Sequence, residues 1–79
     1  MVQPVRAVSR ALDVLGCFSQ ETPELGLAEL AARTGLNKST VLRLLATLEA
    51  HQFVAHDPHT GKYRLGVTLV GLALAARDH

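Results

Sequence analysis

Apolar residues recur at helical spacing in four stretches of the chain, separated by residues that favour turns. The first stretch covers residues 7–19, the second runs from Ala28 to Thr34, the third follows Asn37, and the fourth covers Val67–Ala76. In the third stretch, the spacing i, i+3, i+4, i+7 is filled by Val41, Leu44, Leu45 and Leu48. These patterns predict four helices.

The first predicted helix has a broad apolar face. Its members are Ala7, Val8, Ala11, Leu12, Val14, Leu15 and Phe18. Gly16 interrupts the helix and weakens it by about 1 kcal/mol relative to alanine. The second predicted helix begins weakly, because Ala28 is a poor N-cap compared with serine or threonine. A minimal strand is expected just before it, at Leu25 and Leu27.

The junction between the second and third predicted helices has the sequence form of a helix-turn-helix. Gly35 suits the left-handed residue that ends a helix. Asn37 is a good N-cap for the third helix, and Leu36 with Val41 has the spacing of a hydrophobic staple. The staple fixes the angle at which the chain enters the third helix, and this angle decides whether that helix can reach the major groove of DNA.

A β-hairpin is predicted after the third helix. Two short strands, Phe53–His56 and Lys62–Leu65, flank a loop in which Gly61 takes the positive-φ position. The two-residue period of a strand places Tyr63 and Leu65 on the same face. The fold class is therefore mainly α with a small β-hairpin, and the architecture is a winged helix-turn-helix with a three-helix core and a wing.

The fourth predicted helix is apolar on more than one side. Two sets of residues define its faces: Val67, Val70 and Leu74, and roughly opposite them Leu69, Leu72 and Ala76. A helix of this kind needs two covering surfaces, and a 79-residue domain supplies one. We expect the second surface to come from a partner subunit or from a domain outside this sequence.

Composition mainly excludes classes of function. A chain of 79 residues forms at most one domain, and its single cysteine, Cys17, excludes an internal disulfide and a thiolate metal centre. His56, Asp57 and His59 do not complete the four ligands of a structural zinc site. Neither a catalytic constellation nor a glycine-rich phosphate loop is visible. We therefore expect no enzyme, no metal site and no cofactor.

The ends of the chain and its apolar runs bear on its location. The first residues lack the basic and apolar segments of a secretory leader. No apolar run reaches the roughly 18 residues that a helix needs to span a bilayer. A cytoplasmic protein without a membrane partner is expected.

The distribution of charge is more informative than the net charge of +1. Arg33, Lys38 and Arg43 follow one another without an acid until Glu49. The candidate DNA contacts on the third helix lie opposite or beside its leucine stripe: Lys38, Ser39, Thr40, Leu42, Arg43 and Thr47. Arg43 can bind guanine O6 and N7 bidentately, and Lys38 suits a phosphate.

The wing supplies the remaining candidate contacts. His59 and Thr60 are predicted at its tip, and Lys62 and Arg64 on the face opposite Tyr63. These four residues could follow a phosphate ridge or enter the adjacent minor groove. The alternative function is a winged helix that binds another protein and no DNA, with the outer face of the third helix as its contact surface.

The chain resembles the N-terminal DNA-binding domain of IclR-type bacterial transcriptional regulators over about residues 5–74. The matching segments are Val8-Ser9-Arg10-Ala11-Leu12, Leu30-Ala31, Thr34-Gly35-Leu36, Lys38-Ser39-Thr40-Val41, Arg43–Leu48, Phe53-Val54, Asp57-Pro58 and Thr60–Gly66. Asn37 stands in place of a proline that is common in the family, and asparagine also caps well.

The resemblance implies a larger protein with a second, effector-binding domain. Residues 1–66 would be the winged helix-turn-helix, and residues 67–79 would start a linker helix toward that domain. Such regulators form dimers or tetramers and control promoters in response to a small molecule. The resemblance also implies a homodimer that forms through the first and last helices and binds double-stranded DNA, and repression is the expected mode of control.

Overall fold

The computed structural model describes residues 1–77, in which four α-helices and one two-stranded antiparallel sheet occur. The helices are α1 (Arg6–Leu15), α2 (Leu27–Thr34), α3 (Lys38–Ala50) and α4 (Thr68–Arg77), and the strands are β1 (Val54–His56) and β2 (Tyr63–Leu65). Helices α1, α2 and α3 pack against one another, and β1 packs against α3. The predicted winged helix-turn-helix, mainly α with one hairpin, is confirmed.

The core lies where the three helices meet the hairpin. Its buried members are Val14, Phe18, Leu25, Leu30, Val41, Leu45, Leu48, Val54 and Tyr63. Three of the four stripe residues of α3 are among them, and Leu44 is half-buried. The leucine stripe therefore faces inward, which turns the polar side of α3 outward.

Helix α1 is shorter than its apolar pattern predicts. It ends at Leu15 instead of residue 19, because Gly16 caps it and the chain then turns. Phe18 reaches the core from outside the helix, with 8% of its surface exposed. The sequence predicts that Gly16 only weakens the helix, whereas in the structure the helix ends at this glycine.

Only one side of the broad apolar face of α1 is buried. Val14 is fully buried, whereas Val8 and Leu12 are 56% and 59% exposed. The covered side is the one that faces α2 and α3, and the uncovered side is open to solvent. Periodicity identifies an apolar face but cannot tell how much of that face the domain itself covers.

The predicted Ala28 start of α2 was wrong by one residue. The helix begins at Leu27, with Gly26 at the N-cap, and the Glu29 carboxylate accepts the Gly26 N–H at 2.9 Å. A carboxylate in the first turn also interacts favourably with the positive end of the helix dipole. The start is therefore better defined than the sequence around Ala28 suggested.

The strand predicted at Leu25 and Leu27 exists only as a single bridge. The Leu25 N–H donates to the Tyr63 carbonyl at 3.0 Å, and the Tyr63 N–H donates to the Leu25 carbonyl at 2.8 Å. Leu27 already belongs to α2. The bridge joins the loop after α1 to the edge of the hairpin.

The turn between α2 and α3 has the predicted conformation. Gly35 adopts φ 74°, and the Asn37 Oδ1 accepts the Thr40 N–H at 2.8 Å as the N-cap of α3. Both features are local, so their residues specify them without help from distant parts of the chain. The entry angle of α3 is thereby fixed.

Helix α3 ends in a Schellman turn that leads directly into β1. The Gln52 N–H donates to the Glu49 carbonyl at 2.9 Å, and the Phe53 N–H donates to the Leu48 carbonyl at 2.8 Å. Gln52 has φ 60°, a left-handed conformation that a residue with a Cβ rarely adopts. The end of α3 and the start of the wing therefore form one hydrogen-bonded unit.

The predicted hairpin is confirmed, but each strand begins one residue later than predicted. The strands begin at Val54 and Tyr63 instead of Phe53 and Lys62. The predicted common face of Tyr63 and Leu65 is only partly buried, because Tyr63 is 8% exposed and Leu65 is 42% exposed. The three-helix core extends under Tyr63 but not under the end of the strand.

Helix α4 is much more exposed than predicted. It covers Thr68–Arg77 instead of Val67–Ala76 and buries no side chain over this length. The expectation that the domain covers one of its faces was wrong, because only the first turn, at Thr68 and Leu69, is half-buried. Residues 78–79 of the predicted linker segment lie outside the described part of the chain.

Within residues 1–77, no helix combines the length and the apolar character that crossing a bilayer requires.

Candidate nucleic-acid interface

The outer face of α3 is free, as the candidate role requires. The exposed members of the predicted set on this helix are Lys38, Ser39, Leu42, Arg43 and Thr47, and Thr40 is half-buried. Leu42 is 48% exposed beside Arg43, where it could contact a thymine methyl group. All six residues therefore belong to one surface, which the buried leucine stripe turns toward solvent.

Two hydroxyl groups on this surface already donate hydrogen bonds within the protein. The Ser39 Oγ donates to the Asn37 Oδ1 at 2.7 Å, and the Thr47 Oγ1 donates to the Arg43 carbonyl at 3.3 Å. A hydroxyl has one proton to donate and two lone pairs to accept. In this arrangement both side chains are acceptors for base amino groups, and binding a phosphate requires them to rotate.

Arg10 of α1 extends the surface in a way that the sequence pattern did not indicate. A groove between α1 and α3 is lined by Ala7, Arg10, Thr40, Arg43, Leu44 and Thr47. Arg10 is half-buried, so its stem packs along the groove. In the sequence, Arg10 lies 33 positions before Arg43 on the polar side of α1, and only the packing of the two helices brings both arginines to one groove.

The groove is electrostatically suited to an anion. Two of its described lining residues are arginines and none is acidic. Two nearby cations repel each other, and a phosphate between or beside them relieves this repulsion. Arginine also binds phosphate oxygens through two parallel hydrogen bonds. The chemistry of this groove therefore favours a phosphate group as a ligand.

The wing loop is held in shape by its own polar residues. The Asp57 Oδ1 accepts the His59 N–H at 2.8 Å, and the Thr60 Oγ1 accepts the Lys62 N–H at 3.2 Å. Gly61 has φ 73°, which confirms the predicted positive-φ position. His59, Thr60 and Lys62 are exposed at this end of the hairpin, and the Thr60 hydroxyl keeps its proton free to donate.

Arg64 differs in position from the other wing candidates. It pairs with Ala55 in the middle of the two strands and is exposed. It also lines a hollow with Phe18 and Pro23, beside the loop that joins α1 to α2. The structure therefore separates Arg64 from the tip of the wing, and its contact with DNA stays a prediction.

Two titratable groups lie in the hydrophobic surroundings of the core. Burial, followed by the charge of Glu49, raises the pKa of the Tyr63 phenol. The Tyr63 ring lies 4.6 Å from the ring of His56, tilted by 40°. Burial also raises the pKa of the Cys17 thiol, which disfavours the reactive thiolate. The Tyr63 side chain belongs to the core, and the Cys17 side chain packs against it.

Comparison with known proteins decides the family. The IclR helix-turn-helix domain matches residues 7–58. The chain belongs to the IclR family. Among curated relatives, it is 41% identical over 66 residues to the transcriptional regulator XynR of Escherichia coli, which covers 84% of this chain. It is 33% identical over 78 residues to the glycerol operon regulatory protein of Streptomyces griseus, which covers 99% of this chain.

Solved structures of IclR regulators share the fold. A regulator from Brucella abortus superposes with a TM-score of 0.87 at 40% identity and covers 92% of this chain. A regulator from Alicyclobacillus acidocaldarius gives a TM-score of 0.90 at 39% identity and covers 96%. These relatives are transcriptional regulators with helix-turn-helix domains and are not enzymes.

The IclR relatives are much longer than this chain. The chain spans 26% of XynR and 31% of the Streptomyces griseus protein. It also spans 28% of the solved Brucella abortus chain and 31% of the Alicyclobacillus acidocaldarius chain. The matched region is therefore the helix-turn-helix part of such a regulator.

Proposed function

We propose that this IclR-family domain binds double-stranded DNA in a sequence-specific manner, as part of a dimeric, effector-responsive transcriptional regulator. Helix α3 enters the major groove, and the wing contacts the backbone beside it. The effector binds in a further domain that follows residues 67–79. A protein in the groove excludes other proteins from the same base pairs, which supports repression as the mode of control. Since this DNA is bacterial, we place the protein in the cytoplasm.

The observation that supports DNA binding best is the exposed outer face of α3. Arg43 and Lys38 stand on it, α3 carries no acidic residue before Glu49 near its end, and Arg10 joins Arg43 in the groove beside the face. A helix with this arrangement can read base edges through Arg43 while Lys38 and Arg10 neutralise phosphates. Lys38, in the first turn of α3, adds its charge to the positive end of the helix dipole.

Uncovered apolar surface supports the homodimer. Val8 and Leu12 of α1 are more than half exposed, and so are Val70 and Leu72 of α4. Val8 and Leu12 line one apolar groove with Leu44 and Phe53. An exposed apolar surface of this kind is typical of a protein interface. In a two-fold dimer the two copies of α3 would read half-sites one helical turn apart, about 34 Å, or a multiple of it.

Introducing a charge on α1 is expected to weaken this dimer. Leu12→Glu places a carboxylate in the apolar contact, so the dissociation constant of the dimer should rise about tenfold or more, in line with burial of an unpaired charge. Sedimentation equilibrium over a range of concentrations measures this change. Ala32→Glu adds the same charge on an exposed position of α2 and should have no effect. Equal association of both variants would contradict an interface on α1.

Salt dependence separates DNA binding from the alternative, a winged helix that binds protein only. The logarithm of the association constant for duplex DNA is expected to fall linearly with the logarithm of the salt concentration. Lys62→Ala should weaken all sequences similarly and reduce the slope by about 1, because one phosphate contact is lost. Fluorescence anisotropy at several salt concentrations gives both values. Affinity that is independent of salt would favour the protein-binding alternative.

A further inference from the structure

The segment that leads into α4 is joined to the segment that follows α3 by three hydrogen bonds. The Gly66 N–H donates to the Phe53 carbonyl at 2.8 Å, and the Thr68 N–H donates to the Gln52 carbonyl at 3.2 Å. The Thr68 Oγ1 donates to the carbonyl of His51, the C-cap of α3, at 3.0 Å. We name residues 51–53 with residues 66–68 the α3–α4 junction.

The Thr68 hydroxyl makes a hydrogen bond to a residue far away in the sequence. Of the side-chain hydrogen bonds within residues 1–77, its bond to His51 joins positions 17 apart, whereas every other one joins positions at most four apart. It is therefore a tertiary contact, whereas the others stabilise local turns and helix ends.

The backbone of the junction leaves little freedom. A Cβ added to Gly66 would lie 2.2 Å from the Gln52 carbonyl oxygen. On the other side of this contact, Gln52 is held in the Schellman turn at φ 60°. The two segments thus touch through their backbones, and the carbonyl groups at the end of α3 point at the start of α4.

Beyond this junction the domain provides almost nothing to hold α4. No side chain of Thr68–Arg77 is buried, and Val70 next to the first turn is 62% exposed. A helix without packing contacts takes its direction from its first turn. Within residues 1–77, the bond of Thr68 to His51 is the one side-chain hydrogen bond that joins α4 to the rest of the domain, and it lies in this first turn.

We propose that Thr68 is a positioning residue that fixes the direction of α4 relative to the recognition helix α3, and with it the distance between the two recognition helices of a dimer. The second part rests on the proposed dimeric DNA binding. In such a dimer α4 belongs to the interface, so its angle to α3 sets where the partner's α3 lies. A change of this angle, for example by a domain attached to α4, would change the half-site spacing that both helices can read together.

A distance measurement tests the positioning role without DNA. Spin labels are attached at Ala46→Cys on α3 and Ala75→Cys on α4, both exposed, in a Cys17→Ser background. Labelled chain is diluted with unlabelled chain so that only distances within one protomer are observed. We expect one narrow distance distribution for the unmodified chain and for Thr68→Ser, because both have the hydroxyl donor. Thr68→Val keeps the shape of the side chain but lacks the donor, so its distribution should be about twice as wide or wider.

Two results of this experiment would overturn the proposal. Identical distributions for Thr68, Thr68→Ser and Thr68→Val would show that the hydroxyl does not set the direction. A large loss of helix content by circular dichroism in Thr68→Val would show that it only stabilises α4. Retained helix content with a widened distribution supports positioning.

Binding to palindromic duplexes tests the consequence for DNA. Half-site spacing is varied by single base pairs, and each chain is also titrated against an isolated half-site. Thr68→Val is expected to keep its half-site affinity within about twofold and to lose about fivefold in preference for the best spacing, the size of one net hydrogen bond. Unchanged spacing preference would contradict the proposal. If the unmodified chain bound no duplex, the proposed function would fail, and the distance measurement would still decide the role of Thr68.

Discussion

Arg43→Ala is expected to weaken binding to the preferred DNA sequence by about 1–3 kcal/mol, which is roughly a five- to 150-fold loss of affinity. The physical reason is that Arg43 stands on the outer face of α3 and can bind both acceptors of a guanine at once. Discrimination at one base pair should fall by a similar factor. Titration of a selected duplex and its single-base variants at one salt concentration measures both effects.

Arg33→Ala is the matched control for this substitution. Arg33 is also exposed, but it lies in the last turn of α2 and lines a hollow with Asp13 and Cys17, away from the outer face of α3. Arg33→Ala removes the same charge, so it should weaken the binding of all DNA sequences slightly and equally. If Arg43→Ala behaved like Arg33→Ala, with base discrimination intact, Arg43 would be a phosphate contact and not a base-reading residue.

Gly66→Ala is expected to lower the free energy of unfolding by about 1–3 kcal/mol, the usual cost of overpacking. The added Cβ meets backbone atoms of Gln52 and Phe53 that belong to the Schellman turn, so no side chain can move aside to make room. The whole turn must shift instead. Urea unfolding followed by circular dichroism gives the free energy difference.

Gly71→Ala makes the same chemical change where there is space. Apart from Gly71 itself, its two chain neighbours and the nearby backbone of its own helix, no atom of residues 1–77 lies within 4 Å of a Cβ at this position. Gly71 is in α4, where alanine favours the helix by up to about 1 kcal/mol. This variant should be as stable as the unmodified chain or more so. Equal destabilisation by both substitutions would show that the tight contact at Gly66 has no energetic role.

The parts of the fold that the sequence predicted well are those specified by neighbouring residues. Gly35 and Asn37 determine the turn between α2 and α3 through their own backbone conformation and side chain, and Gly61 does the same for the wing. The leucine stripe of α3 determined which side of the helix would be exposed. The exposed side on which the predicted contacts lie could therefore be identified from spacing alone.

The parts that the sequence did not predict depend on which distant residues meet. Arg10 joins the candidate site only because α1 crosses α3 beside Arg43. The exposure of α4 depends on how far the core extends, which periodicity does not report. Thr68 looks like an ordinary helix-start residue until the chain brings it to His51. A polar residue at the first turn of an apolar helix is the one signal that could have drawn attention to it.

In the proposed complex with DNA, the Schellman turn at the end of α3 limits how the protein can adapt to the duplex. The Gln52 and Phe53 N–H groups are bonded to the Glu49 and Leu48 carbonyls of α3. Helix α3 and the hairpin that follows it therefore move as one unit. The duplex then has to change its shape to fit the protein, because its groove widths must match the fixed spacing between α3 and the wing. Base steps that bend or twist easily gain an advantage at positions that no side chain touches.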